Sequence, residues 1–175
     1  MNNTTVNINS LLLNAARALK EEKFSEAKNL LHKVLLINSN IFEVNFNLGM
    51  INFQSGDVDG AIQYLEKAKK LNPEVSRVYF NLGLAYDKKK EQNSAISNYQ
   101  KAIELDPNNP LIFYNLGSFY KSILDINNAE KYLKKSLDLK PNHIFAFNNL
   151  FDLYDRSNQL EKYGRLLEKA KKILD

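Results

Sequence analysis

Side chains able to do chemistry are scarce in this chain. It has 2 His and no Cys, so disulfides, thiolate nucleophiles and cysteine-held metals are excluded, and histidine acid–base work has few carriers. His32 stands beside Lys33 and His143 just after Pro141, and neither has a second His at metal-ligand spacing. The carboxylates Asp152 and Asp155 are three residues apart, a spacing common on the solvated side of a helix. HExxH, phosphate-cradling glycine loops, GxGxxG and GxSxG are all missing. The chain therefore reads as a non-enzyme, with no catalytic residue, no metal site and no cofactor.

Charge gives the next candidate chemistry. The 175 residues carry 24 Lys and Arg against 20 Asp and Glu, a net charge of +4. Lysine-rich runs occur at Lys67–Lys70, Lys88–Lys90, Lys134–Lys135 and Lys169–Lys172, but Glu66, Glu91, Glu130 and Glu168 interrupt them. With only 4 Arg against 20 Lys there is little to fork onto phosphates or guanine, so the runs read as solvated helix faces and no nucleic-acid partner is expected. No apolar stretch is long enough to span a membrane, and Met1–Thr5 lacks the basic and apolar regions of a signal peptide. A cytoplasmic protein without a membrane partner is the expectation.

The elements that would carry any site repeat along the chain. Pro73, Pro107 and Pro141 are 34 residues apart, as are Leu48, Leu82, Leu116 and Leu150, and Gly49, Gly83 and Gly117. That period predicts units at 8–41, 42–75, 76–109, 110–143 and 144–175 after a polar tail, 1–7. Within 76–109, Tyr79, Leu82, Ala85 and Tyr86 share one helical face, and Ala95, Ile96, Tyr99, Ala102 and Ile103 share another, so each unit is a helical hairpin. Asn109 before Pro110, and Gly56 followed by Asp57 and Asp59, supply capping signals; Ser25 and Asp125 suit the corresponding restarts.

The unit 76–109, with Tyr79, Leu82, Gly83, Tyr86, Ala95, Tyr99, Ala102 and Pro107, resembles a tetratricopeptide repeat at every signature position. The resemblance implies an all-α fold, a right-handed α-solenoid of five helix-turn-helix units. The end units depart from the pattern: Ser39 stands for the proline in the first, and in the last Phe151 replaces the glycine and Tyr163 the small residue of the second helix. The columns Gly49, Gly83, Gly117 and Ala61, Ala95, Ala129 are small where paired helices cross, so they belong to the fold.

In that family the first helix of each unit lines a concave groove. The resemblance places Phe46, Asn47 and Met50 there, then Arg77, Phe80 and Asn81, then Tyr114, Asn115 and Lys121, and finally Asn149 and Asp152. Asn47, Asn81, Asn115 and Asn149 form a column at the repeat period, similar to the asparagine ladder of O-linked N-acetylglucosamine transferases. Their carboxamides suit the backbone of an extended peptide, with Phe46, Phe80 and Tyr114 for apolar contact. The family's carboxylate clamp is missing, since Phe46, Met50, Leu111 and Asn115 occupy its places. The reading is a scaffold or adaptor that binds an extended peptide or partner protein. Its alternatives are a substrate-docking region associated with a sulfotransferase or glycosyltransferase, and a module that self-associates into a homodimer through Tyr163, Leu167, Ala170 and Leu174 of the last helix.

Overall fold

The computed structural model describes residues 7–174, with no side-chain description for Leu174. Ten α-helices and no strand occur among the described residues. They are α1 (Ile8–Lys20), α2 (Phe24–Ile37), α3 (Phe42–Gln54), α4 (Val58–Leu71), α5 (Ser76–Lys88), α6 (Gln92–Leu105), α7 (Pro110–Ser122), α8 (Ile126–Leu139), α9 (Ile144–Arg156) and α10 (Leu160–Leu174). The protein is an all-α repeat array. The chain divides into two compact units, 1–91 and 92–175.

One backbone device closes every hairpin. Glu22, Gly56, Lys90, Leu124 and Asn158, one per turn, all have positive φ. The following N–H reaches back five residues each time: Lys23 to Ala18, Asp57 to Asn52, Glu91 to Tyr86, Asp125 to Tyr120 and Gln159 to Tyr154, at 2.8–3.0 Å. This is the Schellman end of a helix, which satisfies carbonyls that would otherwise lack partners. Asp57, Asp125 and Asn109 cap the next helices by accepting from Gly60, Asn128 and Leu111, with Pro110 in the first turn of α7. Ser25 is no cap. The repeat register puts Lys23 at the start of α2, and Ser25 falls inside the helix.

The core of the first unit joins Ala15, Ala18, Leu31, Val34, Val44 and Leu48, then Leu65, Ala68, Val78 and Leu82. In the second unit, Leu116, Leu133, Phe147 and Leu150 are buried. A methyl group added at Gly49 would lie 2.7 Å from Leu65 Cγ, and one at Gly117 would lie 2.8 Å from Leu133 Cγ and 2.9 Å from the Leu133 backbone nitrogen. The small residues of the repeat are therefore contact points between paired helices. Tyrosines one turn further on act in two ways: Tyr120 stacks on Tyr132 at 5.5 Å within its own hairpin, and Tyr86 donates to Glu66 of the preceding hairpin at 3.4 Å.

Candidate functional site

In the first unit, Arg77 lies over the Phe46 ring at 4.6 Å and the Phe42 ring at 5.9 Å, and these two rings stack at 6.1 Å. The guanidinium thereby binds α5 to the start of α3 through cation–π attraction. Asn81, only 8% exposed, donates its side-chain N–H to the Arg77 carbonyl at 2.7 Å. Asn47 is half-buried and sits with Glu43 at the edge of a cleft of about 380 Å³ between α1 and α3, lined by Leu12, Ala16, Leu19 and Val44. Phe80 is half-buried on α5. Burial raises the Asp87 carboxyl above its usual range, against the opposing pull of Lys90 and Lys88.

In the second unit the corresponding positions are cross-linked. Asn115 donates to the Leu111 carbonyl at 2.8 Å, the same backward bond along the helix that Asn81 makes. Asn149 instead spans two helices, donating to Ser118 Oγ at 2.7 Å while its oxygen accepts from Lys121 Nζ at 2.6 Å. Lys121 also meets Asp152 at 2.9 Å, and Asp152 accepts from Arg156 Nε at 2.6 Å. Hydrogen bonds from Lys121 and Arg156 hold the Asp152 carboxyl below its usual range. Tyr114 packs against His143 at 4.9 Å and against the exposed Phe145 at 6.3 Å.

Both histidines have structural partners. His143 is buried; its Nδ1 lies 2.8 Å from Ser136 Oγ, which donates to the Pro110 carbonyl at 2.9 Å. Since the hydroxyl proton is used on Pro110, Nδ1 must carry the proton of the histidine–serine bond. Burial, and then Lys140, push the His143 pKa down. His32 meets the Tyr64 ring edge-on at 6.0 Å. On α10, Tyr163 packs on Phe151 at 5.0 Å and Ala170 is buried, so Leu167 is the exposed member of the face expected for self-association; the Leu174 side chain lies outside the described residues.

Sequence reasoning missed two arrangements. It put Lys121, Asn149 and Asp152 on one face without pairing them, although late positions of one first helix adjoin the middle of the next. It also gave Glu130 no role beyond interrupting a lysine run. One oxygen of that carboxylate accepts from Lys134 at 2.6 Å and from the Tyr154 hydroxyl at 3.1 Å, and the other from Lys162 at 2.7 Å. Burial raises the Glu130 pKa, but Lys134 and Lys162 outweigh it and leave the carboxyl lowered; burial and Glu130 push the Tyr154 phenol well up.

Helical hairpins at a 34-residue step, with small residues at each crossing, have a match among known families. A model described as TPR repeat matches residues 86–122, and two described as tetratricopeptide repeat match 42–75 and 111–143, together more than half of the chain. This chain is a tetratricopeptide repeat protein. Such repeats form protein-interaction scaffolds and are generally non-catalytic.

No curated protein sequence matches the chain significantly. Solved structures do. A MamA crystal structure is 26% identical with a TM-score of 0.80, covering 90% of this chain and 95% of that one. MamA from Desulfovibrio magneticus RS-1, residue 41 to the end, is 19% identical with a TM-score of 0.86, over 95% and 94%. YrrB, described as a TPR protein with an unusual peptide-binding site, is 23% identical with a TM-score of 0.75, over 81% and 73%. At these identities the likeness is one of fold. Among the described residues no helix is long and apolar enough to cross a membrane.

Proposed function

We propose that this tetratricopeptide repeat protein is a non-catalytic scaffold whose first-helix faces hold an extended peptide segment of a partner protein. The observation that carries the reading is the carboxamide column, Asn47 and Asn81 in one unit and Asn115 and Asn149 in the other, repeating at the repeat period beside Phe46, Phe80 and Tyr114. In Asn81 and Asn115 one side-chain N–H is used within the helix, and the amide group has a second N–H and a carbonyl oxygen for a ligand backbone. The apolar cleft beside Asn47 would take an aliphatic side chain of the same segment. Lys121, with bonds to Asn149 and Asp152, has a third N–H for a ligand carbonyl. Arg77 contributes through the rings it covers. The peptide-binding site of YrrB, which shares the fold, supports the same reading.

The test is a titration. A partner captured by the intact chain is reduced to its binding peptide and titrated against wild type and the Asn81→Ala, Asn115→Ala double variant. Losing donors to a peptide backbone costs about 0.5–1.5 kcal/mol per bond, so affinity falls by roughly five- to 150-fold while thermal unfolding changes little. Unchanged affinity would remove the column from the binding site.

A further inference from the structure

The turn between α7 and α8 carries an unfavourable residue twice over. Leu124 has φ +63°, where its Cβ crowds the following carbonyl; glycine or asparagine, which Gly56 and Asn158 provide at the same place in other turns, relieves that crowding. Its side chain is also 83% exposed. Ile126 is exposed just beyond it, and Leu160, one repeat further, is 69% exposed. The positive φ closes this hairpin as it does the others, but a leucine there adds strain and displays an apolar side chain with no return in packing, which points to a role for that side chain outside the hairpin.

Leu124 and Ile126 line a cleft of about 360 Å³, with Leu153 of α9 beside them and Lys121, Asp152 and Arg156 at its rim. Asp152 holds both cations, at 2.9 and 2.6 Å, so the rim keeps one net positive charge. Arg156 bonds Asp152 through Nε alone and is 77% exposed, which leaves its terminal nitrogens for a second acceptor.

The geometry points to a docking site for a short segment of a partner protein in which a large aliphatic or aromatic side chain neighbours an Asp or Glu. The apolar side chain packs on Leu124, Ile126 and Leu153, and the carboxylate takes Arg156. The charge of the rim selects this occupant: a carboxylate neutralises the excess cation, whereas a basic segment meets Lys121 and Arg156 with like charge. The site lies beside the hairpin turn; it shares Lys121 with the first-helix face but uses neither Asn81 nor Asn115.

The test exploits the strain. Leu124→Gly and Leu124→Asn remove the side chain while relaxing the backbone, so neither endangers folding. Random dodecapeptides displayed on phage are selected against the intact wild-type chain and counter-selected against Leu124→Gly. Peptides that pair Leu, Met, Phe or Trp with Asp or Glu are expected. A synthetic copy should bind roughly tenfold more weakly to Leu124→Gly, Leu124→Asn and Arg156→Gln by fluorescence anisotropy, and equally well to the Asn81→Ala, Asn115→Ala variant. Absence of enrichment over Leu124→Gly, or enrichment of basic peptides, overturns the proposal. So does a peptide lost with the asparagine variant alone, which would belong to the first-helix face, and so does a dimer in sedimentation that Leu124→Gly dissolves, which would give the patch to a second copy.

Discussion

The hairpins α7–α8 and α9–α10 have the same topology and are held in different ways. In the first, Gly117 lets α7 lie directly on Leu133 of α8, and the two helices touch along most of their length. In the second, Phe151 and Tyr163 occupy the positions of Gly117 and Ala129, their rings meet at 5.0 Å, and α9 and α10 touch far less. A cleft of about 330 Å³ lies among α8, α9 and α10, floored by Leu137, Leu150 and Leu166. Glu130 then fastens the loose helix from the side, through Lys162 of α10 and Tyr154 of α9. Close backbone approach serves one hairpin; an aromatic wedge with a polar clasp serves the other. Closeness depends on dispersion at contact distance, so it fails abruptly when volume is added, while the clasp fails in part when a partner is removed.

Adding volume at the close crossing is the most damaging change. Gly117→Val places carbon against the Leu133 backbone nitrogen, 2.9 Å from the new Cβ, where no rotamer change gives relief. It should cost about 3 kcal/mol, read as a lower urea midpoint at unchanged m-value. An unaltered midpoint would mean that the crossing is not close. Glu130→Ala attacks the other hairpin. Lys134 and Lys162 can turn to water, but the mostly buried Tyr154 hydroxyl loses its acceptor, so the expected loss is about 1–2 kcal/mol. Native-state hydrogen exchange should speed up in α10 and stay unchanged in α7 and α8. Equal acceleration in both hairpins would show that the clasp is not local.

The close hairpin could be read in the sequence almost completely, and the loose one only as a departure. Gly117 and Ala129 announce a crossing because small residues recur at the repeat period; Asp125 and Asn109 announce helix starts because their side chains satisfy free N–H groups. Ser25 misled because its chemistry suits a cap while its register does not. Phe151 and Tyr163 are visible as exceptions, but that they meet each other, and that Glu130 completes the attachment, depends on three helices at once and leaves no local pattern. On the first-helix faces, the repeat period puts Asn115 and Asn149 in equivalent places. Their opposite bonding, one along its own helix and one to Lys121 and Ser118, comes from neighbours that the period does not share.

The junction between the two hairpins gives a pH effect smaller than either substitution. His143 has a lowered pKa in the folded chain, so the unfolded chain binds more protons once pH falls below its ordinary value of 6.5. Stability is complete above that value, declines as pH drops through it, and levels off below the depressed folded value. His143→Asn should flatten this decline in urea titrations between about pH 7 and 5. Glu130 and Asp152 act in a separate window: their folded values lie below 4.5 and 3.8, so their contribution is lost only as pH falls through those lower values. A decline over the same range in the His143→Asn variant would assign it to other groups.

The smallest effect has the opposite sign and tests the same contrast. Gly164 lies inside α10 with nothing within 4 Å of an added Cβ, whereas Gly117 has Leu133 at 2.8 Å. A helical glycine in open space gives only conformational freedom to the unfolded chain, so Gly164→Ala should stabilise by about 0.5–1 kcal/mol and raise the thermal midpoint. Gly117→Ala should lower it, because the gain in helix propensity is outweighed by displacing Leu133. If Gly164→Ala also destabilises, α10 lies closer to α9 than the aromatic wedge allows, and the difference between the two hairpins would have to be explained by something other than the size of the residues at their crossings.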